Sequence, residues 1–106
     1  MEFVETSIFT KQINTLVDDD VYRALQIRLA IDPKSGAVIR ASGGLRKIRL
    51  AARGKGKRGG ARIIYFHLES SHQIGMLLAY RKDQQDDLTA DQRAALHKIV
   101  QNWSSR

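Results

Sequence analysis

Residues 43–66 read GGLRKIRLAARGKGKRGGARIIYF. Two apolar runs flank a glycine-rich loop, and Arg46, Lys47, Arg49, Arg53, Lys55, Lys57, Arg58 and Arg62 are spread over all three parts with no acid among them. In a strand, successive side chains point to opposite faces. Lys47 and Arg49 therefore face one way, and Ile48 and Leu50 the other. The second set has the character of a core, so the first must meet water or an anion. The stretch predicts a sheet that is apolar behind and cationic in front. A flexible tail could neutralise phosphates, but only a rigid sheet preorganises charge for chemistry.

Six of the eight glycines of the chain lie between Gly43 and Gly60. Glycine lets a backbone approach a ligand closely, and the interleaved cations suit a phosphate chain. The loop is not a P-loop, since G-x-x-x-x-G-K-[ST] is missing and no helix signal follows. For Lys55 and Lys57 a purely solubilising role stands beside phosphate binding.

Beyond this stretch, three strands are expected at residues 45–51, Ala61–Leu68 and residues 73–80, with ESSH turning between the last two. Residues 37–40 can extend briefly. Towards the N-terminus, EFVET alternates weakly as a short strand, and Phe9, Ile13 and Leu16 recur at helical spacing in Ser7–Leu16. The carboxylates Asp18, Asp19 and Asp20 suit the positive end of a second helix. Val21, Tyr22, Leu25 and Leu29 form its stripe, and Asp32-Pro33 stops it. The two should form an antiparallel hairpin. Thr89 and Gln92 have capping-box spacing, and Leu96, Ile99, Val100 and Trp103 share one face of a last helix. Asp86 and Asp87 are read, like Asp18–Asp20, as helix-starting charges. The order strand, two helices, three strands, helix predicts an α+β domain over residues 1–106, with an antiparallel sheet and helices on one face.

The 106 residues suffice for one core. A net charge of +7 and a pI near 10.1 favour a polyanionic partner. Eight of the 18 lysines and arginines fall between Arg46 and Arg62. Such crowding is unfavourable unless a polyanion or an acidic partner relieves it. No run approaches the length of a membrane span, and the start lacks signal-peptide order, so a cytoplasmic location without membrane contact is expected. With no cysteine, disulfides, thiolate metal sites and a cysteine nucleophile are excluded.

GGLRKIRLAARGKGKRGGARIIYFHLE, followed by LLAYRKDQQDDLTADQR, resembles the HigB branch of the RelE/ParE toxin superfamily. The resemblance covers nearly the whole chain. It implies a RelE-like sheet with an N-terminal helical hairpin and a C-terminal helix, in the toxin of a type II toxin–antitoxin system. It implies cleavage of mRNA in the ribosomal A site without metal or cofactor. It also implies neutralisation by a HigA-like antitoxin whose helix-turn-helix domain carries the complex to operator DNA.

The family has two basic residues, one apart, on a central strand; Lys47 and Arg49 match. The arginine before an aliphatic-aromatic stretch matches Arg62 in ARIIY, and the basic residue after the last strand matches Arg81 or, preferably, Lys82. A tyrosine expected in the C-terminal segment is missing from DDLTADQ, and Tyr80 is its possible substitute. The implied chemistry is attack by a 2′-hydroxyl on the neighbouring phosphorus. It needs a base, positive charge for the equatorial oxygens, and an acid for the leaving oxygen. Lys47 or Lys82 is a candidate base, because neighbouring cations lower a lysine pKa. Arg49 and Arg62 would clamp the phosphate. Arg46, Arg53, Lys55, Lys57, Arg58 and Arg81 would contact flanking RNA or ribosome. His67, His72 and His97 are scattered, so a histidine acid–base pair is not expected. Two further readings stay open: a ParE-like gyrase inhibitor, and a noncatalytic RNA- or ribosome-binding module.

Overall fold

The computed structural model describes residues 1–54 and 60–104. The elements run β1 (Glu2–Glu5), α1 (Ser7–Leu16), α2 (Asp19–Ile31), β2 (Ala37–Val38), β3 (Arg46–Leu50), β4 (Ala61–Leu68), β5 (Gln73–Arg81) and α3 (Ala90–Ser104). The five strands form one sheet in the order β1-β5-β4-β3-β2. Strands β2 to β5 are antiparallel to their neighbours, but β1 lies parallel to β5, from Glu2 against Gln73 to Glu5 against Met76. The sheet is therefore mixed, which corrects the antiparallel expectation. A parallel neighbour needs a long crossover, and α1, α2 and the rest of the sheet all intervene between β1 and β5.

Helices cover both faces, not one. Phe9, Ile13 and Leu16 of α1 and Leu25 and Leu29 of α2 pack on Ile48, Leu50, Ile63, Tyr65, Ile74, Met76 and Ala79. On the other face Leu96 and Val100 of α3 pack with Leu45, Ile64, Leu77, Leu78 and Tyr80. Each sheet face thus has a buried apolar layer, which is the main favourable contribution to folding. Both Leu77 and Leu78 join the α3 side. The register explains this: Ile64 pairs with Leu78 and Tyr65 with Met76, so Leu77 is the extra residue of a bulge. The α3 stripe is narrower than expected, because Ile99 is 41 % exposed.

The helix ends follow local chemistry. Thr6 Oγ1 accepts from Phe9 N at 3.1 Å and donates to Leu77 O at 2.8 Å, so it caps α1 and ties it to β5. At α3 the capping box is complete: Gln92 N donates to Thr89 Oγ1, and Thr89 N to Gln92 Oε1, each at 3.1 Å. The β4–β5 connection is a short 3-10 turn at Glu69–Ser71 closed by His72 at φ 52°. Gly75 on β5 lies under the Trp103 ring, where an added Cβ would come within 1.9 Å of it. Tyr65 is fully buried yet satisfied, its hydroxyl donating to Pro33 O at 2.8 Å and accepting from Gly36 N at 2.9 Å. That pair of bonds anchors the loop leading into β2.

Candidate active site

The site begins with register. Arg49 on β3 lies opposite Arg62 on β4, which lies opposite Tyr80 on β5. Directly paired residues share a face, with Cβ atoms about 4.5–5.5 Å apart. Arg49, Arg62 and Tyr80 thus form one row across three strands. Lys47 lies two residues from Arg49 on the same face, roughly 7 Å away along the strand. Ile64 and Leu78, paired in its row, are buried against α3. The α3 side of the core takes in Tyr80 at one end of the row, and Arg49 at the other end stays exposed.

Burial differs along the row. Arg49 is exposed, Arg62 is 3 % exposed and Tyr80 7 %. Arg62 Nη1 donates to Ala61 O at 3.4 Å, and among the described residues no carboxylate pairs with its guanidinium. A buried cation without a counterion is costly, and such a cost points to function more readily than to stability. The Tyr80 hydroxyl is buried without a hydrogen-bond partner among the described residues. Burial pushes its pKa up, Asp87 and Asp86 push the same way, and Arg62 opposes them. The phenol stays protonated at neutral pH, so it is suited to donate a proton or a hydrogen bond.

An acidic segment faces the cations. Lys47 Nζ lies 3.9 Å from Asp87 Oδ1, Lys82 Nζ 3.5 Å from Asp86 Oδ1, and Arg81 Nε 3.1 Å from Asp83 Oδ1. These aspartates precede α3, whose cap is Thr89, so Asp86 and Asp87 are not helix-starting charges as expected. The crowding of cations is relieved in part by the chain itself. No local pattern announces this, because Lys47 and Asp87 are forty positions apart.

The remaining candidates divide. Arg46 points to the opposite face from Lys47. Its Nη1 donates to Lys34 O at 3.2 Å and Gly36 O at 2.7 Å, bracing the loop before β2. Arg53 Nε lies 3.4 Å from Asp18 Oδ1, and Arg53 donates to the carbonyls of Asn14 and Val17. It thereby holds the junction of α1 and α2. Arg81, one residue from Tyr80, alternates to the opposite face and is held by the Asp83 carboxylate, which raises its pKa further. Lys82 follows the end of β5, where its N–H donates to Gly60 O at 3.0 Å. Lys55, Lys57 and Arg58 lie outside the described residues.

The histidines are dispersed. His67 is at the far end of β4 from Arg62, half-buried with Nδ1 4.0 Å from Glu69, and His97 is on α3 with Nδ1 3.5 Å from Ser42 O. Two cations near the row carry no signal in the sequence pattern. Arg40 and Arg93 line a cleft of about 420 Å³ that also reaches Lys47 and Asp87. Among the described residues no group of three His, Cys, Asp or Glu is placed to hold a metal ion, and no helix is long and apolar enough to cross a membrane.

Comparison with known proteins bears on the fold and the family. A solved Escherichia coli structure, an arginine-to-alanine double mutant of the toxin RelE in the free state, is 13 % identical. It superposes with a TM-score of 0.59, covering 80 % of this chain and 86 % of that one. At that identity the likeness establishes the fold. The family model described as the RelE toxin of the RelE/RelB toxin–antitoxin system matches residues 8–106. The chain therefore belongs to the RelE toxin family, as the toxin of a toxin–antitoxin pair with a cognate antitoxin as its partner.

Proposed function

We propose that this protein is a ribosome-dependent mRNA endoribonuclease that acts in the bacterial cytoplasm, cuts message in the A site and stops translation. The observation that carries the reading is the Arg49–Arg62–Tyr80 row with Lys47 beside it. A buried arginine with no carboxylate partner among the described residues, between an exposed arginine and a protonated phenol, fits a phosphodiester better than it fits a structural role.

In the reaction the 2′-oxygen forms a bond to phosphorus as the bond to the 5′-oxygen breaks. The products are a 2′,3′-cyclic phosphate and a 5′-hydroxyl. Arg62 and Arg49 hold the non-bridging oxygens as charge grows on them. Tyr80 gives its proton to the departing 5′-oxygen, and Lys47 is placed as the base that takes the proton of the 2′-hydroxyl. Neither transfer calls for metal or cofactor. Lys82 lies next along the RNA. Arg81, once released from Asp83, can join the loop cations Lys55, Lys57 and Arg58 on flanking RNA. Arg46 and Arg53 are occupied with backbone carbonyls and support the scaffold.

The whole chain, 1–106, acts as one toxin domain. Its partner is a HigA-like antitoxin with a helix-turn-helix domain, through which the pair reaches operator DNA. Expression of the chain alone should arrest growth, and co-expression of the neighbouring antitoxin gene should relieve it. Arrest accompanied by polysome association and loss of translation supports the ribonuclease. Arrest with gyrase-linked DNA breaks and intact translation would replace it with gyrase inhibition. Ribosome binding without any cut would leave a noncatalytic module.

A further inference from the structure

The cleft between residues 37–41 and the start of α3 is not used by the proposed reaction, yet Lys47 connects it to the catalytic row. Its walls combine apolar surface with Arg40 and Arg93. Val38, on edge strand β2, is 56 % exposed and forms part of the apolar wall. The Arg93 Nε is buried and has no hydrogen-bond partner among the described residues. Arg40 is exposed and makes no ion pair among them. Asp87, the carboxylate of the lining, is drawn towards Lys47 and accepts from Leu88 N at 2.8 Å. Among the described residues the lining thus sets three cations against one anion. A volume of about 420 Å³ falls in the usual range of small-ligand sites.

We infer that this cleft is a nucleotide subsite. It takes the phosphate next to the scissile one on Arg40 and Arg93, and the attached base against Val38 and its alanine neighbours. The inference rests on reading the Arg49–Arg62–Tyr80 row as the RNA-cleaving site. Three features converge on it. The arginine Nε is already desolvated and has no partner among the described residues, so an incoming phosphate satisfies it without further desolvation of that group. The apolar wall offers contact for a base without reading its edge. Lys47 lies between the two sites, where one ribose-phosphate step would join them.

The test uses two uncleavable probes, 2′-deoxy at the scissile position: a dinucleoside monophosphate, which reaches the row alone, and a trinucleotide with one more phosphate. Their affinities for the purified toxin are measured by calorimetry over a salt series. Arg40→Ala and Arg93→Gln should each weaken the trinucleotide several-fold and together about tenfold, leaving the shorter probe unchanged. The salt slope for the trinucleotide should fall by about 0.7 when its extra phosphate is no longer neutralised. Arg93→Lys should retain part of the affinity. Unaltered melting temperatures separate these effects from unfolding, and the exposed Arg40 gives a variant that does not touch the core. Equal weakening of both probes, or of neither, would overturn the subsite. Arg62→Gln, measured in parallel, should weaken both probes. If it weakened neither while the cleft variants still acted on the trinucleotide, the row would be misread and the cleft would stand as an RNA contact by itself.

Discussion

Replacing Arg62 with methionine should make the protein more stable and inactive at once. Arg62 is 3 % exposed, lies between Arg49 and Tyr80, and pairs with no carboxylate among the described residues. A buried polar group without adequate partners costs about 1–3 kcal/mol. Methionine keeps a long unbranched side chain and brings no charge, so most of the packing survives. We take about 1–2 kcal/mol as the gain, because part of the relief is offset by imperfect filling of the site. At roughly 4–8 °C per kcal/mol for a domain of this size, the melting temperature should rise by several degrees. The same substitution removes a donor aimed at transition-state charge, which costs about 10²–10³-fold in rate. Circular-dichroism melts of the purified variant, beside cleavage assays on mRNA-programmed ribosomes, read both quantities. A drop in melting temperature large enough to explain the inactivity would show instead that Arg62 holds the sheet together.

Three further outcomes follow from the same geometry. Tyr80→Phe removes a buried hydroxyl that has no partner among the described residues; stability should hold or rise while cleavage slows by about 10²-fold or more, as measured by single-turnover kinetics on ribosomes. Asp87→Asn removes the carboxylate 3.9 Å from Lys47 but keeps an acceptor for Leu88 N; a partly exposed pair is worth about 0–1 kcal/mol, so RNA should bind up to about fivefold tighter at low salt, with the difference vanishing at high salt in a fluorescence-anisotropy titration. Tyr22, Tyr65 and Tyr80 all have pKa values raised first by burial, with Glu5 adding to the effect at Tyr22. A folded-state pKa above the unfolded one gives stability that is complete below about pH 10 and lost as pH rises further. Ultraviolet titration should therefore show phenolate appearing only with alkaline unfolding; phenolate forming in the folded protein near pH 10 would be incompatible with that burial.

Much of the fold could be read from local pattern. The spacing of Phe9, Ile13 and Leu16 gives α1 its bounds, and Ala61–Leu68 is a strand as expected. The capping box at Thr89 is present, with both of its hydrogen bonds. Pairing direction and helix placement were not legible. Alternation in EFVET tells that β1 has two faces but not that it runs parallel to β5 at the sheet edge. The apolar stripe of α3 requires a partner surface, and nothing in Leu96 or Val100 says which side of the sheet provides it. The bulge at Leu77 also hides the face assignment, since two consecutive leucines share one side.

For the site, period-two alternation separates Lys47 and Arg49 from Ile48 and Leu50. It also puts Arg46 behind the sheet, where its bonds to the Lys34 and Gly36 carbonyls only become visible in three dimensions. The pairing of Asp83, Asp86 and Asp87 with the cations, and the approach of Arg40 to Arg93, depend on tertiary closure that short sequence windows do not encode. A basic residue beside the Ala37–Val38 strand and another in the first turns of α3 were the available signals, and each is ordinary in isolation.

Whether the Arg49–Arg62–Tyr80 row cuts message on the ribosome can be measured directly. Purified toxin should be added to ribosomes stalled with a defined A-site codon, and the termini of the mRNA fragments determined. The expected products are those of one cut within that codon, with a 2′,3′-cyclic phosphate upstream and a 5′-hydroxyl downstream, and no cut by the Arg62→Met protein. Intact message with wild-type toxin, or equal cutting by the variant, would mean that the row is not the catalytic site.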